Sequence, residues 1–358
     1  MKNTILLALL FCVIGLSKTY AQTNKEQALS KLKEAIKIED EQGRFDDALK
    51  LLIEAEQLDP ENYNYPFEQA YTYTQKKEYK KAADILERLL KHKDVTGQTY
   101  SALGNNYDYL GDREKAVQTY EEGLKKFPRS AYLFVELGNM ALMTGDGNKA
   151  LNYYEKGIDA NPNYTATYYR AAKIFCTSTT EKIWGMIYGE IFMNLERNSS
   201  RTSEISKLLY DTYKSQITFP ADGKVAVSFS KTSTMTLDQL NSGKMPLPMM
   251  YEAAIGVGSA PEKNIDIDAL NRIRTGALAY YTAIDSKSPL KNLLFDYQKT
   301  IKDAGHLEAY NYWILSQGDK EKFEAWQKAN TGKWEAFVKW FTANPLKISE
   351  ENKFIRAN

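Results

Sequence analysis

Three prolines set a period of 34 residues along the first half of the chain. Pro162 follows Pro128 by that distance, and Pro128 follows Pro60 by twice as much. A period of this length is typical of helix-turn-helix repeats, in which each unit buries its apolar face against the next one. The period therefore predicts an all-α solenoid in this half of the chain.

The residues between the prolines repeat as well. In the unit that covers residues 97–130 they are Tyr100, Leu103, Gly104, Tyr107, Gly111, Ala116, Tyr120 and Pro128. In the unit 131–164 they are Phe134, Leu137, Gly138, Gly145, Ala150, Tyr154 and Pro162. Units 29–62 and 63–96 keep fewer of these residues, and a degenerate unit covers residues 165–198. The pattern resembles the tetratricopeptide repeat (TPR).

The resemblance gives the small residues a packing role. Gly104 and Gly138 allow the backbones of paired helices to approach closely, and a tyrosine fills the space beside them. Gly43, Gly111 and Gly145 fall at the turn between the two helices of a unit, where glycine adopts a positive φ at little cost. We expect all five glycines to be structural.

The resemblance also implies a binding surface, because the first helices of successive TPR units line a concave groove. The residues placed in this groove are Phe67, Tyr71, Gln98, Asn105, Asp108, Tyr132, Asn139, Tyr169 and Lys173. Asn105 and Asn139 can bond the backbone of an extended peptide. Because the neighbouring glycines provide the packing, we expect both asparagines to be dispensable for folding. A groove that is left to solvent or filled by the chain itself is the alternative.

Residues 1–21 have the features of a secretory signal peptide. Lys2 gives a positive start, the run from Ile5 to Leu16 is apolar, and Ala21 ends a cleavage site that would leave Gln22 first. Cys12 lies inside the apolar run, so we do not expect a lipid to be attached there. A signal that ends in Ala-Gln resembles those of Bacteroidetes envelope proteins, which favours the periplasm over release outside the cell.

The mature chain is nearly neutral and has one cysteine. Removing Lys2 and Lys18 takes the formal net charge from +1 to −1, so charge gives no reason to expect binding to nucleic acid or an anionic membrane. Cys176 remains alone, which excludes an internal disulfide. We also expect no membrane-spanning segment in the mature chain.

The period ends near residue 214, so we divide the mature chain into a solenoid over 22–214 and a region of unknown role over 215–358. In the second region, alternation on both sides of Asp222-Gly223 predicts a β-hairpin. A Ser/Thr-rich stretch and a proline-containing loop follow. Helical patterns return at about 248–258, 267–285, 289–304, 307–316 and 319–343. Expected helix caps are Thr180, Asp266 or Asp268, Ser288 and Asp319.

Two apolar features need a partner surface. The predicted helix near residues 182–195 has an apolar face too wide for one neighbour, so we expect the C-terminal region to cover part of it. Trp313, Trp326, Trp334 and Trp340 fall in the last helices, and their spacing favours a buried core. A surface for a glycan or a peptide is the alternative.

No constellation of catalytic, metal-binding or cofactor-binding residues stands out. His92 and His306 lie in different halves of the chain, each without a second ligand at metal spacing. The Ser-x-x-Lys match at Ser228–Lys231 lacks the accompanying motifs of penicillin-interactive enzymes. Cys176 has no neighbouring base and is predicted to be a buried, inert thiol.

These features favour a non-enzymatic periplasmic protein that binds another envelope protein or an extended peptide, as an adaptor or assembly factor. Two alternatives stay open. One is an envelope protein that binds a glycan or another nutrient. The other is an enzyme whose site lies unrecognised in residues 215–358.

Overall fold

The computed structural model describes residues 2–221, 223–231, 245–285 and 292–356. Within these ranges the chain forms seventeen helices and one two-stranded antiparallel sheet. It divides into two compact units, Met1–Leu137 and Gly138–Asn358. The predicted fold class is therefore confirmed: helix-turn-helix repeats, a short β-hairpin and a helical C-terminal region.

The first unit is built of paired helices. They are α1 (Lys2–Gln42), α2 (Phe45–Leu58), α3 (Asn64–Gln75), α4 (Tyr79–Leu89), α5 (Gly97–Tyr109), α6 (Arg113–Lys126) and the part of α7 (Ala131–Met143) up to Leu137. Helices that follow one another in the chain pack together, α1 on α2, α3 on α4 and α5 on α6. Small and aliphatic side chains fill the first core cluster: Ala28, Leu32, Ala35, Ala48, Leu52, Ala55 and Tyr65. This cluster shows that α1 takes part in a repeat although its sequence has lost the pattern.

The turn inside each helix pair is closed in the same way. The glycines predicted there have positive φ: Gly43 (+63°), Gly111 (+87°) and Gly145 (+82°). In the unit 63–96 this position is held by Lys77, which has a φ of +62° and is the one described non-glycine residue in the left-handed region. After the turns at Lys77, Gly111 and Gly145 an amide bonds a carbonyl five residues back, as Asp112 N does to Tyr107 O at 2.9 Å, whereas after Gly43 the Arg44 amide bonds Ile38 O, six residues back. The period is thus visible in backbone conformation as well as in sequence.

Tyrosine rings lie directly over the repeat glycines. A methyl group in place of the Gly104 hydrogen would overlap the ring of Tyr120, and one at Gly138 would overlap the ring of Tyr154. Both rings are fully buried. The packing role predicted for the two glycines is therefore confirmed, because any side chain there would push the paired helix away.

The second unit begins within α7 and contains the remaining elements. They are α8 (Gly147–Ala160), α9 (Thr165–Ser178), α10 (Lys182–Leu195), α11 (Ser200–Gln216), β1 (Ile217–Ala221), β2 (Lys224–Val227), α12 (Leu247–Ser259), α13 (Ile267–Asp285), α14 (Leu293–Asp303), α15 (Leu307–Leu315), α16 (Lys320–Ala329) and α17 (Thr331–Ala343).

Helix α10 lies at the centre of this unit. All of its residues from Gly185 to Asn194 are buried. Helices α9, α11 and α14 pack against it, and Phe354 covers Trp184 and Tyr188. The expectation that the C-terminal region covers the wide apolar face is confirmed.

The β-hairpin joins the two helical parts of the second unit. Ile217 pairs with Val227 and Thr218 with Ala226, and Gly223 has a φ of +72°. Asp222, the other predicted turn residue, lies outside the described residues, as do residues 232–244 of the Ser/Thr-rich stretch and the loop after it.

Two of the predicted helix caps are confirmed. The Asp266 carboxylate accepts a hydrogen bond from Ala269 N at 2.8 Å, and Asp319 accepts one from Lys322 N at 3.3 Å. The cap predicted at Thr180 is wrong, because α10 begins one residue later, after Glu181.

Two further boundaries differ from the sequence pattern. Ser288 lies outside the described residues, and α14 begins at a cap formed by Asn292, which accepts from Leu294 N at 3.0 Å. The helical pattern over 319–343 is broken at Asn330, whose φ of −126° separates α16 from α17. Of the tryptophans of these helices, Trp326 is buried and its ring stacks on Tyr312 with centroids 4.3 Å apart, whereas Trp334 and Trp340 are partly buried.

Lys77 gives a direct test of the turn. A non-glycine residue in the left-handed region costs about 1–2 kcal/mol, and glycine avoids that cost but is more flexible in the unfolded chain. Lys77→Gly is therefore expected to raise the free energy of unfolding by about 0.5–1 kcal/mol, measured by urea unfolding. Gly111→Lys, the reverse change at the same repeat position, should lower it. A Lys77→Gly variant less stable than the native chain would contradict this account.

Candidate functional site

The nine residues predicted to face the groove all lie on first helices of repeat pairs. Phe67 and Tyr71 lie on α3, Gln98, Asn105 and Asp108 on α5, and Tyr132 on α7 in the first unit; Asn139 on α7 and Tyr169 and Lys173 on α9 belong to the second unit. We call these positions in the first unit the first-helix surface. Their freedom to bind a partner depends on which internal contacts they already make.

An open pocket of about 650 Å³ lies on the first-helix surface. Phe67 and Gln98 line it, as predicted, together with Tyr63. The Tyr63 ring stacks on Phe67 with centroids 5.3 Å apart, and its hydroxyl bonds Thr99 Oγ1 at 2.7 Å. Sequence reasoning missed Tyr63 because it precedes α3. The sequence does place Tyr63 one helical turn before Phe67, and this spacing could have indicated that the two rings are neighbours.

The charged lining of this pocket is mainly acidic. It includes Asp59, Glu61, Glu68 and Asp94 together with Lys25 and Lys93. Burial raises the pKa of Glu68, and the Glu39 and Asp40 carboxylates raise it further. Burial also raises the pKa of Glu39, although its hydrogen bond from Thr72 opposes this. The surface formed by α1 and α3 therefore holds carboxylates whose ionised form is disfavoured without a nearby cation.

Exposed tyrosines lie on the same surface. Tyr71 is 50% exposed and Tyr132 is 38% exposed. Gln98 is also exposed. Tyrosine offers a large apolar area and a polar hydroxyl at low conformational cost, which suits it to contacts with another protein.

The Asn105 side chain is not available to a partner in the way that the sequence suggested, because it is hydrogen-bonded within the chain. Its amide oxygen accepts a hydrogen bond from Tyr120 Oη at 2.6 Å, and its amide nitrogen donates to Glu136 Oε1 at 3.2 Å. One period later, Asn139 Oδ1 accepts from Tyr154 Oη at 2.9 Å. The expectation that both asparagines are dispensable for folding is wrong, because each one satisfies the hydroxyl of a buried tyrosine.

Asp108, Tyr169 and Lys173 are also engaged within the chain. Asp108 lies 3.4 Å from Arg113 Nε. Lys173 Nζ lies 2.7 Å from Glu204 Oε1, and Tyr169 Oη donates to the other oxygen of the same carboxylate. These hydrogen bonds lower the pKa of Glu204. Phe67, Tyr71 and Gln98 thus remain the more open part of the predicted set.

A polar cluster that the sequence analysis missed lies in the core of the second unit. Arg274 donates from both terminal nitrogens to the Glu190 carboxylate, at 2.6 and 2.9 Å, and from Nε to Asn311 Oδ1 at 2.8 Å. Gln298 and Tyr310 also donate to Glu190. One sequence feature could have indicated this cluster. Glu190 is the single acid in the apolar helix α10, and a buried carboxylate requires a partner.

This cluster is structural in character. Burial disfavours the charged guanidinium, yet the Glu190 carboxylate outweighs this and raises the pKa of Arg274. The adjoining cavity measures about 40 Å³, which is enough for a water molecule or so.

The other candidates for chemistry are inert or isolated among the described residues. Burial raises the pKa of the Cys176 thiol to about 12, so it stays protonated at neutral pH. No group of three or more potential metal ligands occurs in the described ranges. None of the helices searched there has the length and apolar character needed to cross a bilayer.

Comparison with known families agrees with this geometry. Two tetratricopeptide-repeat models match the chain, one over residues 41–106 and the other over residues 101–165. Residues 41–165 therefore contain tetratricopeptide repeats. TPR domains bind peptides and proteins, which makes protein–protein interaction the general role of these repeats.

Several solved TPR structures are similar to the chain. A thermophilic TPR protein of Thermus thermophilus is 15% identical, with 51% of this chain and 98% of that chain covered and a TM-score of 0.43. PilF of Pseudomonas aeruginosa is 14% identical, with 78% and 99% covered and a TM-score of 0.42. YrrB, described as a TPR protein with an unusual peptide-binding site, is 17% identical, with 51% and 94% covered and a TM-score of 0.32.

Removing one partner of the buried Glu190–Arg274 ion pair should destabilise the protein more than replacing both partners. Arg274→Met should lower the free energy of unfolding by about 3–5 kcal/mol, because it leaves the Glu190 carboxylate buried without its cation.

The matched control is the double variant Glu190→Leu/Arg274→Met. It should be more stable than Arg274→Met alone in urea unfolding followed by circular dichroism, because no charge is left unpaired. Equal losses in the single and double variants would mean that the pair is not coupled.

Proposed function

We propose that this chain is an exported periplasmic adaptor that binds an extended segment of another envelope protein on its first-helix surface. The TPR repeats support the interaction role. The signal-like residues 1–21 support the proposed periplasmic location. The repeats then act as a rigid frame, and the partner segment lies along helices α3 and α5.

The observation that carries this proposal is the half-exposed side chain of Tyr71, one helical turn after Phe67, which lines the open pocket together with Tyr63 and Gln98. An aromatic wall next to an exposed tyrosine is the kind of surface that contributes most to protein–protein affinity. The four acids of the pocket favour a partner segment that carries basic residues, since these would relieve the cost of ionising Glu68.

No specific observation favours the two alternatives. The glycan-binding hypothesis used the C-terminal tryptophans, but Trp326 stacks on Tyr312 and Trp334 packs against Phe323 and Phe337. The enzyme hypothesis needs a reactive group in residues 215–358, and the buried charge described there, Arg274, is already paired with Glu190.

Export is tested at the N-terminus. The mature protein recovered from cells is expected to begin at Gln22 and to be released with the periplasmic fraction, because signal peptidase cuts after small residues. N-terminal sequencing and fractionation measure this. A protein that begins at Met1, or that carries a lipid on Cys12, would refute the proposed location.

The binding surface is tested with exposed residues, whose replacement leaves the core intact. Tyr71→Ala combined with Gln98→Ala should weaken binding to a partner purified after envelope capture by about tenfold or more, since truncating a contact residue commonly costs over 1 kcal/mol. Ile53→Ala is the matched control, because Ile53 is 40% exposed on the second helix α2. Isothermal titration calorimetry compares the three proteins. Equal affinity for all of them would exclude the first-helix surface as the binding site.

A further inference from the structure

The last described segment of the chain, residues 344–356, lies across three repeat helices of the second unit. It contains no helix or strand. Leu346 and Ile348 are buried, Asn163 donates to Ile348 O at 3.3 Å, and Lys353 bonds Asp159 O at 3.0 Å. The segment is irregular, with one turn closed by a hydrogen bond from Lys353 N to Ser349 O at 3.0 Å, and it packs like a bound peptide on helices α8, α9 and α10. We call it the C-terminal segment.

Two side chains supply the specific contacts of this segment. The Phe354 ring stacks near Trp184 with centroids 6.2 Å apart and meets Tyr188 edge-on at 5.9 Å. The Arg356 guanidinium binds the Glu155 carboxylate at two points, with Nε to Oε1 at 3.1 Å and Nη2 to Oε2 at 2.9 Å. Paired contacts of this kind fix both the charge and the orientation of an arginine.

The receiving residues are held in place by one another. Tyr188 Oη donates to Glu155 Oε1 at 3.0 Å and accepts from the Arg356 backbone amide at the same distance. The Arg356 guanidinium also lies over the Phe175 ring, 5.1 Å from its centroid. Glu155 and Tyr188 are buried, whereas Phe354 and Arg356 are only partly buried. The site is therefore fixed by the repeat helices, and its occupant is the more exposed and less regular element.

We propose that Glu155, Phe175, Trp184 and Tyr188 form a binding site for a segment with the sequence aromatic–any residue–arginine. In this structure Phe354-Ile355-Arg356 of the same chain occupies the site, and a segment of the same chemistry from a partner protein displaces it. The site lies mainly on second helices, α8 and α10, so it is separate from the first-helix surface. The proposal does not depend on the function proposed above, and its test uses other residues.

The displacement is tested in the full chain with a fluorescein-labelled peptide of residues 347–358. In Phe354→Ala/Arg356→Ala the internal competitor is weakened, so fluorescence anisotropy should show at least tenfold tighter peptide binding than in the native chain. A control peptide with Ala for Phe354 and Glu for Arg356 should bind at least tenfold more weakly. Adding Glu155→Gln to the double variant should also weaken binding of the native peptide, because the charge-assisted contact is lost.

Several outcomes would overturn the proposal. One is a folded double variant that binds the native and control peptides equally or not at all. Another is loss of cooperative unfolding in the double variant, which would make the C-terminal segment part of the indivisible core. Dimerisation of the native chain through exchange of this segment, seen by sedimentation, would assign the site to a second copy instead of a partner.

Hydrogen exchange on the native chain gives a test that needs no substitution. Amides of residues 350–356 are expected to exchange through local opening, well before those of α10. Excess native peptide should speed this exchange by displacing the segment. Equal protection of residues 350–356 and α10 would rule out a displaceable segment.

Discussion

The contact between a tyrosine ring and a glycine is the interaction on which the repeat architecture depends. Tyr120 lies over Gly104, and Tyr154 lies over Gly138 one period later. Each ring can be buried only because its hydroxyl finds an acceptor, which is Asn105 in one case and Asn139 in the other. One recurring set of side chains therefore fixes the spacing of the paired helices and also supplies a hydrogen-bond acceptor for each buried tyrosine hydroxyl. This also explains why asparagines at groove positions are partly structural.

A different interaction organises the second unit, where the repeat pattern stops. Helix α10 is surrounded on several sides, and the cost of placing Glu190 at its centre is offset by Arg274 from α13 and by Gln298 and Tyr310 from later helices. A pair of this kind adds little net stability compared with apolar packing, but it strongly disfavours any arrangement that leaves one charge alone. It therefore favours one way of packing the C-terminal helices on α10. The ion pair crosses the boundary proposed at residue 214, and cutting the chain there would leave Glu190 without its cation.

Features with a local cause could be predicted from the sequence, and features that join distant residues could not. The positive φ of Gly111 and the packing of Gly104 follow from a repeat that shows itself within 34 residues. The hairpin turn at Gly223 is equally local. In contrast, Glu190 and Arg274 are 84 positions apart, and no periodicity links them. For the candidate site, the repeat placed Phe67 and Tyr71 on the correct helix. It could not show that Tyr63 stacks on Phe67 or that Asn105 is bonded to Tyr120.

Repeat proteins must cover the apolar edge that stacking leaves at each end, and in the second unit the cover has two parts of different character. The C-terminal helices meet α10 through fully buried polar and apolar contacts, whereas the C-terminal segment meets Trp184 and Tyr188 with the partly exposed Phe354. Removing the segment would expose Tyr188 and leave Glu155 without Arg356, which is costly enough to keep the site occupied. Because these contacts come from a few side chains and not from a helix interface, another segment with the same side chains can satisfy them equally well. The need to cover the apolar edge of the repeats can thus also create a binding site whose occupant is exchangeable.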